Sequence, residues 1–422
     1  MERTYDIEAV RKEFPALDRT HNGRPAVYLD GPGGSQMARP SIAAMLRYME
    51  AGGANLHGAF PTSFETEEIL AEAREASAAF LGARPDEIAF GANMTTLTYG
   101  ISRALSREWN SNSEIVVTEL DHRANVDPWI QAAEDRGAKI RWVRLDPDAL
   151  TLDEEDIENA INENTKLVAV GLASNIVGTV TDVARVSEMA HAFGVLVAVD
   201  AVHAAPHIPV DRVALGADIL TCSAYKFFGP HVGVAAIKGE LFENLGVYKV
   251  EPAPNYSPDK LETGTQNHEG IAGVKGALDF IASLGDGETM RERLLSGMEN
   301  IEEYEDALAG KLRAALRETP SVKIYSAPEG VRKTPTVAFR AEGISPREIC
   351  ERMAAEGYFI GDGHFYASTV VERLGLREEG VVRVGLAPYT SEEEVEGFVG
   401  SLRSGFSQEP RAKSQERSER PS

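Results

Sequence analysis

Ala217-Asp218-Ile219-Leu220-Thr221-Cys222 runs directly into Ser223-Ala224-Tyr225-Lys226-Phe227-Phe228-Gly229-Pro230. The first six residues read as a buried strand, and Gly229-Pro230 marks a turn just beyond it. A lysine at that junction is held by backbone, so its amine can be aimed into a cleft. The Ser223 hydroxyl beside it can bind an anion such as a phosphate. Upstream, Val195-Leu196-Val197-Ala198-Val199 is a second apolar run, and it ends on Asp200. Alone, a strand-end lysine is ordinarily a solvated side chain; its meaning depends on what the neighbouring strand ends carry.

Working outward, short apolar strands alternate with helices from Glu87 onward. Strands are expected at Ile88 to Phe90, Ile115 to Val117, Ile140 to Val143, Leu167 to Leu172, Val195 to Val199 and Ile219 to Cys222. Helices are expected at Thr95 to Glu108, Val126 to Arg136, Glu154 to Asn162 and Val183 to Phe193. This alternation implies an α/β fold with a mostly parallel sheet covered on both faces. Ahead of it, Asp6 to Phe14 reads as a short helix and Ala26 to Asp30 as a strand entering the turn Gly31-Pro32-Gly33-Gly34-Ser35. Thr62 with Glu65 suggests a capping box for a helix running to Leu81. A long helical region spans Gly270 to Leu316. Beyond it, strands at Val322 to Tyr325, Thr336 to Phe339 and Val381 to Leu386 mix with helices at Ser345 to Glu356 and Ser391 to Arg403. The expected organisation is an N-terminal segment (1–25) packing on the small domain, a large domain (26–285), a smaller α+β C-terminal domain (286–406) and a disordered Ser-, Glu-, Arg- and Pro-rich tail (407–422).

Composition narrows the partners. Lys plus Arg is 43 and Asp plus Glu is 66, a formal charge of −23. Such a field repels phosphate backbones and anionic lipid, so neither nucleic acid nor a membrane surface is expected as a partner. No apolar run approaches membrane-spanning length. The two cysteines, Cys222 and Cys350, form neither a disulfide framework nor a metal-binding spacing. With no apolar signal region near the start, the expected location is the cytoplasm.

Four further segments follow strands. Gly91-Ala92-Asn93-Met94-Thr95-Thr96 opens a helix, whose free amides from Met94 onward and whose Thr95 and Thr96 hydroxyls can cradle a phosphate; the plainer reading makes Thr95 an N-cap. Glu119 to Asn125 carries His122, which can stack on a flat ring or simply be exposed. Ser174-Asn175 carries an amide that can bond a ring oxygen or serve a turn. Asp200-Ala201-Val202-His203 carries a carboxylate and an imidazole, with Asp200 alternatively capping a helix. All lie at carboxyl ends of expected strands, the edge along which open parallel sheets bind ligands. A strand-end lysine to form a Schiff base, plus a strand-end carboxylate to hold a pyridine nitrogen protonated, is what a pyridoxal 5'-phosphate enzyme requires.

From about Tyr28 to about Val399 the sequence resembles the class V branch of fold-type I pyridoxal phosphate enzymes. That branch includes cysteine desulfurases, selenocysteine lyases, kynureninase and isopenicillin N epimerase. The resemblance is carried by Tyr28-Leu29-Asp30, Asp121-His122-Arg123-Ala124-Asn125 with Pro128-Trp129, Ser174-Asn175 with Gly178-Thr179, Asp200, Ser223 with Lys226, and Glu262-Thr263-Gly264-Thr265-Gln266-Asn267. It implies a mostly parallel seven-stranded sheet in the large domain and a homodimer. By it, Lys226 carries the cofactor, Asp200 pairs with the pyridine nitrogen and His122 stacks on the ring. Asn175 and His203 face the ring oxygen. Met94, Thr95, Thr96, Ser223 and Tyr225 take the phosphate, with Thr265 reaching the partner subunit's phosphate. Arg383 holds the substrate carboxylate, as a bidentate guanidinium can.

The pattern breaks near the substrate. Cysteine desulfurases of this branch use a loop cysteine to carry sulfur away as a persulfide. The corresponding loop here is Ile360-Gly361-Asp362-Gly363-His364-Phe365-Tyr366-Ala367, which puts Tyr366 in the cysteine's place and Gly361 where an arginine is frequent. His203 replaces a usual glutamine and Tyr225 a usual histidine. The expectation is a lyase acting on a small, preferably sulfur-containing amino acid, with Asn175, His364, Tyr366 and Arg383 around the substrate. An aminotransferase or epimerase on the same scaffold is the alternative, and a non-catalytic scaffold a more distant one.

Overall fold

The computed structural model describes residues 5–406; the tail expected from 407 onward lies outside the described residues. Seven strands form the large sheet, in spatial order Ile88–Gly91, Gly233–Ile237, Ile219–Ser223, Leu196–Asp200, Thr165–Gly171, Glu114–Thr118 and Lys139–Val143. The last five run parallel. Gly233–Ile237 is antiparallel to both of its neighbours. The first six strands are mostly apolar and buried along nearly their whole length, because helices cover both faces, while the edge strand Lys139–Val143 is largely exposed. Their carboxyl ends deliver Gly171, Asp200 and Ser223 to one edge.

A second sheet of four antiparallel strands, Val322–Tyr325, Thr336–Ala341, Val381–Gly385 and Gly361–Gly363, stands over that edge. Arg383 lies on its third strand. The expected early strand is real but short: Val27–Tyr28 pairs in parallel with Tyr358–Phe359. Val27 and Leu29 pack in the core of this second unit, with Leu308, Phe339 and Phe398. The N-terminal segment spans both units. Arg11 pairs with Glu394 at 2.9 Å, while Phe14 packs against Phe228 and Phe280 of the large unit and Tyr389 of the small one.

Two local expectations change, and one gains detail. The helix Pro61–Leu81 starts before Thr62, with Phe60 at its N-cap and no side-chain cap bond. Pro61 explains this, since its fixed φ and missing N–H suit the first helical position. Met94–Leu105 is capped by Asn93, whose side chain accepts from the Thr96 amide at 2.9 Å, so Thr95 is no cap. The long helical region is two helices, His268–Ser283 and Met290–Arg317. They cross so closely that a Cβ on Gly297 would sit 2.3 Å from the Ile281 carbonyl oxygen.

Candidate active site

A cavity of about 780 Å³ opens between the carboxyl edge of the large sheet and the small sheet. It brings together Met94, Thr95, His122, Asn175, Asp200, His203, Ser223, Tyr225, Lys226, Tyr366 and Arg383. Thr96, Thr265 and His364 are not in its lining. Thr96 turns its hydroxyl to Asn93 at 3.0 Å. Thr265 is exposed. His364 stands behind Tyr366, its Nδ1 accepting from the Tyr366 amide at 3.1 Å.

Lys226 ends a single 3-10 turn, Ala224–Lys226, directly after the strand Ile219–Ser223. Its Nζ donates to the Pro32 and Gly33 carbonyls of the glycine-rich turn, the latter at 3.1 Å. Burial, reinforced by the charge of Arg383, lowers its pKa to about 8. The Tyr225 ring lies 4.8 Å from Nζ and stacks on His231 at 4.9 Å. Ser223 Oγ accepts from the Met94 amide at 2.9 Å, fixing the helix N-terminus against the strand end.

Asp200 is buried, and its Oδ1 accepts from the Val202 amide at 2.8 Å. No helix follows it, so it caps none. Burial raises its pKa to about 6. Asp121 behind it is raised further, to about 7, again mainly by burial. His122 accepts from the Ala124 amide at its Nδ1 (3.0 Å), which leaves the ring proton on Nε2. Burial first, then the charges of Lys226 and Arg383, lower its pKa to about 4. It is therefore a flat, uncharged surface at neutral pH. His203 lines the cavity with its Nε2 facing the hydroxyls of Thr334 at 2.9 Å and Thr336 at 3.2 Å. Burial depresses its pKa strongly.

Arg383 is 3% exposed. It donates to the Asn175 carbonyl at 2.9 Å and to Asp30 Oδ1 at 3.1 Å. The Phe365 ring lies 3.8 Å from its guanidinium carbon. Sequence reasoning singles out neither Phe365 nor His231, and it uses Asp30 only as part of a motif. Asp30 and Arg383 are 353 residues apart, and no local pattern announces such a pairing.

The donor set fits pyridoxal phosphate. Asp200 is a buried carboxylate that accepts one backbone N–H, and a protonated pyridine nitrogen would give its charge a cationic partner. Ser223 and Thr95 at a helix N-terminus suit a phosphate, whereas the amides of Met94 and Thr96, expected to share that task, already donate to Ser223 and Asn93. His122 offers the ring face, and Asn175 Oδ1 is buried without a partner.

Fold and site together define a pyridoxal phosphate-dependent enzyme of fold type I. Comparison with known proteins agrees. The family model "Aminotransferase class-V" matches residues 27–398, and the chain belongs to that family. A probable cysteine desulfurase of Streptomyces coelicolor is 32% identical, over 94% of this chain and 96% of that protein. An aminotransferase-like protein of Gibberella zeae is 31% identical, over 94% of this chain and 98% of that protein. The apo structure of a cysteine desulfurase from Thermococcus onnurineus superposes with a TM-score of 0.86 at 27% identity, covering 96% of this chain and 99% of the other. This chain is thus a cysteine desulfurase-like member of the class V family.

Proposed function

We propose that the enzyme cleaves the Cβ–S bond of a small sulfur-containing amino acid and releases the sulfur group directly, with no persulfide on the protein. The carrying observation is the cavity loop, which presents Tyr366 and no thiol. Cys222 and Cys350 are both buried and neither lines the cavity. Burial pushes the Cys222 thiol far up and the Cys350 thiol to about 12. A phenol cannot take sulfur as a persulfide.

When bound, pyridoxal phosphate supplies an electron-withdrawing ring that takes up the charge developing at Cα. The rest falls to the chain. Arg383 orients the substrate carboxylate. Lys226, with its amine pKa near 8, removes the Cα proton. His122 keeps one ring face dry and uncharged. Tyr366, whose ring centre is 5.6 Å from that of His122, stands where it can give a proton to the departing sulfur. Overall, substrate plus water gives a thiol, a keto acid and ammonium; the Cα–H, Cβ–S and C–N bonds break, and no external oxidant or reductant is needed.

The reading includes a homodimer. Thr265 is exposed outside its own cavity, as a residue lent to a partner would be. Leu46, Met49, Phe60 and Phe64 are 48–57% exposed on neighbouring segments.

The test is a panel of cysteine, cysteate and cystathionine with the holoenzyme, scoring the sulfur product (sulfide, sulfite or thiol), keto acid and ammonia together. Stoichiometric release of all three from one substrate is expected. Keto acid with cofactor converted to its amine form would instead mean transamination, and Cα inversion without net conversion would mean epimerisation.

A further inference from the structure

The loop facing the cavity contains Gly361, Phe365 and Tyr366, and its backbone is unusual at two of them. Phe365 has φ of 50° and Tyr366 of 57°. Left-handed backbone costs a non-glycine residue about 1–2 kcal/mol, so something must hold both. The Phe365 carbonyl accepts from Asn175 Nδ2 at 2.9 Å, and the Tyr366 carbonyl accepts from the Arg123 amide at 2.8 Å. Held this way, the Phe365 side chain turns back over the guanidinium of Arg383 at 3.8 Å. Gly361 makes the room. A Cβ there would lie 2.8 Å from Phe365 Cε1 and 3.3 Å from Asp30 Oδ1. Asn175 joins the assembly at both ends, because its own carbonyl accepts from Arg383 Nη1 at 2.9 Å. Arg383 is thus fixed in its plane by Asn175 and Asp30 and covered on its flat face by an aromatic ring.

The geometry points to Phe365 as a positioning residue for carboxylate recognition: its ring, admitted by the missing side chain at Gly361, locks the orientation in which Arg383 receives the substrate. This rests on the reading of Arg383 as the carboxylate anchor but not on the fate of the sulfur. The ring supplies two things an aliphatic side chain does not: a π-face for the cation and a rigid plate that excludes water from it.

The test compares two aminooxy probes that displace Lys226 from the holoenzyme's cofactor to form an oxime. Aminooxyacetate carries a carboxylate, and O-methylhydroxylamine does not. The readout is the ratio of their rate constants, followed by cofactor absorbance. Wild type should favour aminooxyacetate, and Arg383→Gln should abolish the preference; a wild type with no preference would overturn both the anchor reading and this inference. Phe365→Leu should lower the ratio about thirtyfold, the scale of one desolvated cation–π contact. Phe365→Tyr should retain it within about twofold, since it keeps the π-face. Gly361→Ala, which pushes the ring aside, should lower it in the same direction as Phe365→Leu. A preference lost in Arg383→Gln but kept in Phe365→Leu would leave Arg383 as the anchor and overturn the role of Phe365.

Discussion

Lys226 is an amine under opposing influences. Burial and Arg383 lower its pKa, and Asp30 and Asp200 raise it, leaving it near 8. Only the neutral amine can attack an aldehyde. Capture of added pyridoxal phosphate by the apoenzyme should therefore accelerate as pH rises from 6.5 and level off above about 8.5, the range set by a midpoint near 8. Removing the positive charge in Arg383→Gln should move that midpoint upward. A capture rate flat across this range, or a midpoint that falls in the variant, would contradict the assignment. Lys226, Asp200, His122 and Ser223 are legible in the sequence because each sits at a strand end, where backbone direction is set by the alternating pattern. Phe365, His231 and the side-chain role of Asp30 are not. Each acquires its neighbour through tertiary folding, and the ring of Phe365 reaches Arg383 only because of a left-handed turn and a glycine four residues earlier.

At the level of elements, period and apolar runs locate six of the seven large-sheet strands to within a few residues. Gly233–Ile237 escapes that reading because it has no helix between it and Ile219–Ser223 and so breaks the alternation; it enters antiparallel after the lysine turn. The long helical region expected over 270–316 is two closely packed helices. Gly297 lets them touch backbone to backbone, a Cβ there falling 2.3 Å from the Ile281 carbonyl oxygen, and Gly285 in the connector packs as tightly on Arg293. Helices Arg39–Ala51 and Pro61–Leu81 carry the exposed Leu46, Met49 and Phe64. Exposed apolar clusters on an otherwise charged chain mark association surfaces. The double variant Leu46→Glu with Met49→Glu should sediment as a monomer where wild type sediments as a dimer, and it should bind cofactor more weakly because the partner's Thr265 is lost. A wild type that sediments as a monomer, or a variant that stays dimeric, would contradict this.

Across the whole molecule, the residues of the proposed chemistry and the proposed substrate anchor come from two different sheets. The strand ends of the large sheet deliver Lys226, Asp200 and Ser223, while Arg383 arrives on the facing sheet of the smaller unit. The early segment around Val27–Leu29 is read from the sequence as the start of the large unit, yet it packs in the small unit's core. Chain order alone does not reveal this, since its pairing partner Tyr358–Phe359 lies more than 300 residues away. Every functional reading depends on the cofactor residing on one lysine in that cleft. The most direct measurement is borohydride reduction of the purified protein followed by peptide mapping. A reduced pyridoxyl adduct on the peptide containing Lys226, absent in Lys226→Ala, is the expected result. An adduct on another lysine, or a colourless protein that takes up no added pyridoxal phosphate, would contradict it.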